Sequence, residues 1–366
     1  MHLKAPRFHR LTVADLRRET ASAVSIAFAV PSALADAYAF EPGQYLTLRT
    51  MIDGEDARRT YSICSGLDDG ELRVAVKEVD GGLFSSFANA SIKKGDAIDV
   101  MTPIGRFTVP LDAQEERVYL AIASGSGITP VMSHIKSVLT REPKSHFLLI
   151  YGNRSSRDII FKDALEDLKD RHLGRLAVHH VLTREAQDIP LLHGRLDAAK
   201  LKMLVRASFP NQGIDHAFLC GPQGVIEAAQ AALAELQVAR ERIHVELFTP
   251  ALPSASSPKP RSRRAATANA AQAAIATATV TLDGATHVFP VAADEGVIDA
   301  GLRAGLELPF SCKGGMCCTC RAKLVSGTVE MVQNYSLEPW EMEKGFVLAC
   351  QSRPTSAEVT LDFDQA

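Results

Sequence analysis

Four cysteines near the end of the chain have a spacing that binds iron and sulfide. Three lie close together in a C-x4-C-x2-C pattern, and the fourth follows after thirty residues; they are Cys312, Cys317, Cys320 and Cys350. At this spacing one loop supplies three thiolates to a [2Fe–2S] cluster and a distant segment supplies the fourth. Glycines inside the loop, Gly314 and Gly315, let the backbone turn tightly and point N–H groups at the sulfur atoms. The pattern therefore predicts an electron carrier.

Two other uses of four cysteines compete with this interpretation. A structural zinc site is disfavoured because its ligands are usually paired as C-x2–4-C twice. Disulfides are disfavoured because a chain of 366 residues is long enough to fold around apolar cores without them. We expect Cys318, which lies inside the loop but out of register, and Cys64 to pack rather than to bind iron.

A compact group of residues in the first third of the chain has the chemistry of a flavin site. These consecutive residues are Arg59, Thr60, Tyr61 and Ser62. An arginine can pair with a pyrophosphate, a tyrosine can stack on an isoalloxazine ring, and a serine hydroxyl can bond to its N5 edge. Further on, the segment from Gly82 to Ser85 reads as a glycine turn that opens a helix, whose N–H groups could hold the same pyrophosphate. Taken alone, Tyr61 also fits an ordinary surface strand.

Two glycine-containing loops in the middle of the chain each follow an apolar run and precede a helical pattern. Their predicted ligand-binding residues are Gly125, Gly127, Thr129 and Pro130 in the first loop and Cys220, Gly221 and Pro222 in the second. Glycine lets the backbone approach a pyrophosphate, and the N-terminus of the following helix attracts negative charge. Neither loop is a P-loop or a complete GxGxxG motif. If both loops end strands of one parallel sheet, they face a common crevice.

The elements that must position these residues change in character along the chain. Residues 1–112 contain short alternating or β-branched runs, such as Leu72–Lys77, typical of an antiparallel barrel or sandwich. Residues 113–248 alternate apolar strands with helices, which predicts an α/β doubly wound parallel sheet. Residues 278–366 begin with a hairpin about Asp283-Gly284, followed by a helix over Val297–Ala304 and the cysteine loop.

Residues 249–277 are rich in Pro, Ser, Ala and Arg and are predicted to be a flexible linker. The basic run within them reads as a solvated charge cluster. The net charge of −3 gives no reason to expect nucleic acid as a partner, and no apolar stretch is long enough for a membrane span. The first residues, Met1–Pro6, have no apolar segment typical of a signal peptide, so we expect a cytoplasmic protein.

Over essentially its whole length the sequence resembles ferredoxin–NADP⁺ reductase-type oxidoreductases with a fused C-terminal plant-type ferredoxin. The RxYS flavin signature is met by Arg59, Tyr61 and Ser62, the PGQY segment by Pro42–Tyr45, and GxxS by Gly82 and Ser85. The resemblance implies a multidomain fold: an antiparallel β-barrel that binds FAD, an α/β nicotinamide domain, and an α+β (β-grasp) ferredoxin domain. Members with this domain order are reductase components of multicomponent oxygenases.

The same resemblance implies roles for further residues. Ser62, Cys220 and Glu246 are expected at the site of hydride transfer, with Phe248 facing the flavin. Arg154 and Arg184 are placed like the family's contacts to the 2′-phosphate, which favours NADPH over NADH.

The implied electron path runs from NAD(P)H through FAD and the cluster to an oxygenase component. The segments Met331–Leu337 and Gly345–Gln351 are most similar to those of phenylacetyl-CoA epoxidase reductases. Reductases of other oxygenases, acting on steroid or aromatic rings, or of a hybrid-cluster protein remain alternatives. So do a scaffold protein that has lost its flavin and a self-sufficient reductase of nitric oxide or a quinone.

Overall fold

The computed structural model describes residues 6–209, 213–248 and 274–365. The chain divides into two compact units, one containing nearly all of the first two predicted domains and the other containing the C-terminal domain. No helix in the described ranges has both the length and the apolar composition needed to cross a membrane. Most of the predicted linker lies outside the described residues.

The first domain is a curled antiparallel sheet of six strands with one helix, α1 (Leu83–Ala90). The strands are β1 (Phe8–Thr20), β2 (Ala23–Ala29), β3 (Tyr45–Ile52), β4 (Glu55–Ser62), β5 (Leu72–Lys77) and β6 (Ala97–Met101). They are ordered β4-β3-β6-β1-β2-β5, so β4 and β5 lie at the edges. An isolated antiparallel bridge between Ile63 and Val74 joins these edges and curls the sheet into the predicted barrel.

The second domain is a five-stranded parallel sheet between two layers of helices. Its strands are β7 (Val118–Ser124), β8 (His146–Asn153), β9 (Leu176–Leu182), β10 (His216–Gly221) and β11 (Ile243–Leu247). Its helices are α2 (Ile128–Arg141), α3 (Lys162–Arg171), α4 (Ala198–Ser208) and α5 (Gln223–Glu235). Alternate side chains of each strand enter opposite cores: Tyr119 and Ala121 pack in one, Leu120 and Ile122 in the other.

The strand order β11-β10-β7-β8-β9 reverses direction between β7 and β10. In doubly wound sheets this switch point opens a crevice at the carboxyl ends of the strands, where ligands bind. The two predicted glycine loops both start there, one after Ser124 and the other after Gly221. The prediction of a doubly wound sheet is thereby confirmed.

The third domain has the predicted α+β organisation. Its strands are β12 (Ala274–Leu282), β13 (Ala285–Ala292), β14 (Arg321–Ser326), β15 (Val329–Met331), β16 (Phe346–Leu348), β17 (Ser352–Pro354) and β18 (Glu358–Asp362), and its helices are α6 (Val297–Arg303) and α7 (Pro339–Glu343). The main sheet is ordered β13-β12-β18-β14-β16, with β12 and β18 parallel, as in a β-grasp. Strand β12 begins at Ala274, which lies within the predicted linker.

The hairpin turn predicted at Asp283-Gly284 joins β12 to β13. Leu282 pairs with Ala285, so the turn contains two residues, and both have positive φ, 53° at Asp283 and 74° at Gly284. Positive φ at both positions defines a type I′ turn, whose twist matches that of the flanking strands.

Candidate functional site

The flavin-binding candidates lie at the end of β4 and at the start of α1. The rings of Tyr61 and Phe84 have centroids 5.6 Å apart, so the end of β4 and the first turn of α1 are neighbours. Ser62 is buried, whereas Arg59 is exposed, as a pyrophosphate ligand must be, and Thr60 is partly exposed. Tyr61 and the start of α1, more than twenty residues apart in sequence, are therefore side by side.

Helix α1 begins with Gly82 as its N-cap, and within the described chain no side chain caps it. Its first N–H groups are therefore suited to a phosphate. A Cβ at Gly82 would lie 2.3 Å from the Ser85 hydroxyl, so the turn is tightly packed at this position. The Ser85 hydroxyl accepts a bond from the Val79 N–H and donates one to the Gly82 carbonyl. The Ser85 side chain therefore stabilises the turn, and the first backbone N–H groups of α1 remain available to a phosphate.

The nicotinamide loops touch each other at the switch point. A Cβ at Gly127 would lie 2.2 Å from the carbonyl oxygen of Cys220, and one at Gly221, whose φ is +157°, would lie 3.1 Å from Cβ of Ser124. Glycine at both positions lets the two strand ends approach this closely. Residues 125–127 form a short 3-10 helix that leads into α2. Tyr151, from β8, donates its hydroxyl to the Gly125 carbonyl and fixes this loop.

Other predicted residues of these loops have structural contacts of their own. Thr129 is buried and its hydroxyl donates to the Ser126 carbonyl, and Pro130 is buried in the first turn of α2. Pro222 is the N-cap of α5. Phe248 is partly buried against the core beside α2, and its N–H donates to the Gly221 carbonyl. These contacts fix the conformation of the loops that line the crevice.

Ser62, Cys220 and Glu246 come together although they are far apart in sequence. Cys220 and Glu246 are paired across the parallel strands β10 and β11. The Ser62 hydroxyl donates to the Glu246 carboxylate at 3.4 Å, which joins the barrel to the parallel sheet. Burial raises the pKa of Glu246 to about 8, and the bond from Ser62 opposes part of that shift. Burial, and then the charge of Glu246, raise the pKa of Cys220, so its sulfur stays a neutral thiol.

The raised pKa of Glu246 makes a prediction about stability at alkaline pH. A glutamate in the unfolded chain titrates near 4.5, so the folded state holds this proton more tightly. The stability it contributes is complete below pH 4.5 and is lost as the pH rises to about 8. Relative to Glu246→Gln, we expect wild type to lose up to about 1.4 kcal/mol per pH unit across this window. Thermal unfolding of the flavin-loaded proteins from pH 4.5 to 9 measures the difference; parallel curves would contradict it.

A basic pocket lies beyond the carboxyl ends of β8 and β9. It is lined by Arg154, Thr183, Arg184, Gly194 and Arg195. All three arginines are exposed, and the Arg184 N–H donates to the Arg154 carbonyl, which holds the two loops side by side. The structure thus brings together both arginines proposed for the 2′-phosphate and adds Arg195, which sequence reasoning missed because it follows Arg154 by some forty residues in an unremarkable loop.

Lys77 is a second residue that sequence reasoning missed. It ends strand β5 of the barrel, and its Nζ lies 3.5 Å from the position of a Cβ on Gly125. Burial lowers its pKa, the charge of Asp158 opposes part of this shift, and the charge of Arg154 adds slightly to it. A partly buried ammonium group beside the glycine loop is suited to a phosphate of the dinucleotide.

The four cluster cysteines form two pairs in the third domain. The side chains of Cys312 and Cys317 interact with each other, and so do those of Cys320 and Cys350. Within the described part of the chain, no three His, Cys, Asp or Glu side chains surround a single metal position. Two pairs of thiols instead suit a cluster of two irons in which each iron takes two thiolates. The residues present therefore fit a [2Fe–2S] cluster.

Backbone N–H groups surround this loop as the sequence predicted. The Gly314 N–H donates to Sγ of Cys312 at 3.3 Å, and the Cys312 N–H to Sγ of Cys317 at 3.5 Å. The bond with Cys317, and then the backbone donors, lower the pKa of Cys312 to about 5. Gly315 has φ of +74°, and a Cβ there would lie 2.7 Å from the Gln333 carbonyl oxygen. The loop is therefore tightly turned and directs backbone N–H groups at its sulfur atoms.

The other two predicted packing cysteines have contacts of their own. The Cys318 thiol donates to the Ser336 hydroxyl at 3.0 Å and packs against the domain core. Cys64 is buried and its thiol donates to the Arg73 carbonyl. Burial raises the pKa of Cys64 to about 12, so it remains protonated.

Sequence comparisons assign a known domain to each of three segments of the chain. Residues 11–109 match the oxidoreductase FAD-binding domain, residues 121–231 the oxidoreductase NAD-binding domain, and residues 280–355 the 2Fe–2S iron–sulfur cluster binding domain. The chain is an oxidoreductase that binds FAD, a nicotinamide dinucleotide and a [2Fe–2S] cluster. It belongs to the family of ferredoxin–NADP⁺ reductase-type oxidoreductases with a C-terminal plant-type [2Fe–2S] domain.

Its relatives are reductase components of multicomponent oxygenases. One subunit of the 1,2-phenylacetyl-CoA epoxidase of Escherichia coli (strain K12) is 44% identical over 359 residues, which cover 98% of each chain. The ferredoxin reductase component of 3-ketosteroid-9-alpha-monooxygenase from Mycobacterium tuberculosis (strain H37Rv) is 36% identical over 97% of this chain and 96% of its own. The solved structure of phthalate dioxygenase reductase has the same fold, with a TM-score of 0.58, 23% identity and coverage of 97% and 98% of the two chains.

Proposed function

We propose that this protein is the reductase component of a phenylacetyl-CoA epoxidase and delivers electrons from NADPH to its diiron oxygenase component. The similarity to an epoxidase subunit along nearly the whole chain, including the cysteine loop, carries the proposal. In the bound state FAD would take up a hydride and release the two electrons singly to the [2Fe–2S] cluster, which passes them on.

The chain's own residues prepare the hydride site for this chemistry. Ser62 presents a hydroxyl at the end of β4 and is held there by Glu246. Glu246 keeps its proton at neutral pH, because burial raises its pKa to about 8, and so adds no negative charge where a hydride must arrive. Cys220 is fully buried at the end of β10, where a neutral thiol packs without repelling the dinucleotide. Together these groups add no charge at the switch point.

Reconstitution with purified oxygenase components tests the proposed partner. The flavin- and cluster-loaded protein is mixed with NADPH, phenylacetyl-CoA and the oxygenase component of an epoxidase, and the epoxide is measured. A parallel reaction uses the oxygenase of a 3-ketosteroid monooxygenase, because a reductase of that system is also a relative. Turnover only in the steroid reaction would show that the proposed partner is wrong, although the proposed path of the electrons through FAD and the cluster would still hold. Reduction of artificial dyes is expected with either partner and does not discriminate.

We further propose that the nicotinamide substrate is NADPH. The arginines of the basic pocket, Arg154, Arg184 and Arg195, support this, because a 2′-phosphate needs cationic donors whereas a free ribose diol favours an acidic one. Glu185, the carboxylate that directly follows Arg184, is already occupied: it accepts bonds from the N–H and the hydroxyl of Ser156. These bonds lower its pKa, so it stays charged and engaged with Ser156.

Removing one arginine from the pocket is expected to reduce use of NADPH selectively. Arg184→Ala and Arg195→Ala should each lower kcat/KM for NADPH by about tenfold or more, the effect of losing a hydrogen bond to a charged group, and change the NADH value less than about twofold. Steady-state kinetics with both dinucleotides measures this. Arg206→Ala removes an exposed arginine from α4 and serves as the matched control. Equal losses with both dinucleotides, or better wild-type efficiency with NADH, would refute the preference.

A further inference from the structure

We propose that Gln351 is a positioning residue that raises the reduction potential of the iron–sulfur cluster. It directly follows Cys350 and is 9% exposed. Its side-chain Nε2 donates to the carbonyl oxygen of Lys313 at 2.7 Å and lies 3.6 Å from Sγ of Cys350. The amide therefore bridges the three-cysteine loop and the distant fourth cysteine.

The two acceptors fix which way the amide points. A carbonyl oxygen and a cysteine thiolate both accept hydrogen bonds, and a glutamine nitrogen carries two hydrogens, one for each. The opposite orientation would place the amide oxygen against two acceptors and lose both bonds. The Gln351 amide therefore acts as a donor to both groups. An asparagine side chain would be too short to reach them, and a glutamate carboxylate has no N–H to donate.

The backbone on either side holds the amide in place. The Gln351 N–H donates to the Leu348 carbonyl, and its own carbonyl accepts from the Val332 N–H. A Cβ on Gly315 would lie 3.4 Å from Cγ of Gln351, so the side chain lies directly over the cysteine loop. A side chain fixed at both ends and covered by a loop loses little freedom when the cluster is bound, which makes its hydrogen bond persistent.

The direction of the effect follows from charge. Reduction adds one electron to the cluster and its thiolates, so a donor N–H stabilises the reduced form more than the oxidised form. Hydrogen bonds to the sulfur ligands are among the features that set cluster potentials. The Nε2 of Gln351, 3.6 Å from Sγ of Cys350, is placed to act as such a donor. Gln351 would then keep the cluster potential high enough to draw electrons from the flavin.

The test is a redox titration of the flavin-loaded, cluster-loaded protein followed by electron paramagnetic resonance. In Gln351→Leu, which keeps the bulk but lacks donors, we expect the ratio of reduced to oxidised cluster at a fixed poise to fall about tenfold, equivalent to ~59 mV for one electron. In Gln351→Glu, which keeps the side-chain length but adds negative charge, the ratio of reduced to oxidised cluster should fall further. Gln333→Leu, at an exposed glutamine of the same domain, is the control and should match wild type.

The rate of flavin reduction by NADPH, measured by stopped flow, should be the same in all four proteins. An unchanged potential in Gln351→Leu, or a potential in Gln351→Glu at or above that of wild type, overturns the proposal. Because it rests on the cluster bound by the four cysteines, the visible spectrum of wild type is recorded first. A wild type without cluster absorbance would refute the cluster itself, which distinguishes that failure from a failure of the role given to Gln351.

Discussion

The substitution Cys317→Ser is expected to abolish electron transfer to the oxygenase, by at least about a hundredfold, while NADPH still reduces the flavin at its wild-type rate. Cys317 is paired with Cys312 and is one of the two thiols available to its iron. A serine hydroxyl stays protonated and hard, and binds iron poorly compared with the thiolate that a cluster requires. The residues of the hydride site, Ser62, Cys220 and Glu246, lie in the other compact unit and do not depend on this loop.

The measurement compares two rates in one preparation. Stopped-flow absorbance follows flavin reduction, and product formation with the oxygenase follows transfer. Cys318→Ser is the matched control, because Cys318 is adjacent to Cys317 but donates to Ser336, a bond that a serine hydroxyl can reproduce. Loss of flavin reduction in Cys317→Ser would show that the domains do not act as separate modules. Loss of transfer in Cys318→Ser would place Cys318 among the functional thiols.

The substitution Ser62→Ala is expected to slow hydride transfer from NADPH to the flavin by roughly tenfold to a hundredfold, with little change in flavin content. The buried Ser62 hydroxyl is held by Glu246 at the end of β4. Ser62 is expected to bond to the flavin, which gains charge when it is reduced. Losing a hydrogen bond to a charged group costs about 1.5–3 kcal/mol, which corresponds to this range of rates. Flavin reduction is measured under single-turnover conditions at saturating NADPH, so that a change in dinucleotide binding does not contribute.

A double-mutant cycle identifies how Ser62 acts. If Glu246 works by orienting the Ser62 hydroxyl, then Glu246→Gln added to Ser62→Ala should slow the reaction no further, because the partner it orients is already missing. Ser91→Ala, at the exposed C-terminal end of α1, is the control and should leave the rate unchanged. Multiplicative effects of the two substitutions would show that Glu246 acts independently, and an unchanged rate in Ser62→Ala would remove Ser62 from the hydride site.

Much of the fold follows from local patterns. The cysteine spacing, the turn at Asp283-Gly284 and the alternation of strands and helices in the second domain each depend on residues close in sequence, so each could be read before the structure. The start of β12 could not, because Ala274–Thr277 has the composition of a linker. That segment is a strand because it pairs with β13 along its length and with β18 at its end, contacts that composition does not reveal.

The sequence by itself determined which groups handle electrons: four thiols with a cluster spacing, a flavin motif and two glycine loops. These are short motifs whose chemistry depends on residue type and local spacing. Only the tertiary structure decided which side chains support them. Arg195 joins Arg154, Lys77 reaches the Gly125 loop, and Gln351 reaches Lys313 because folding brings together segments that are distant in sequence. The pKa of Glu246 is likewise a property of burial, which arises from packing between elements and is absent from any local pattern.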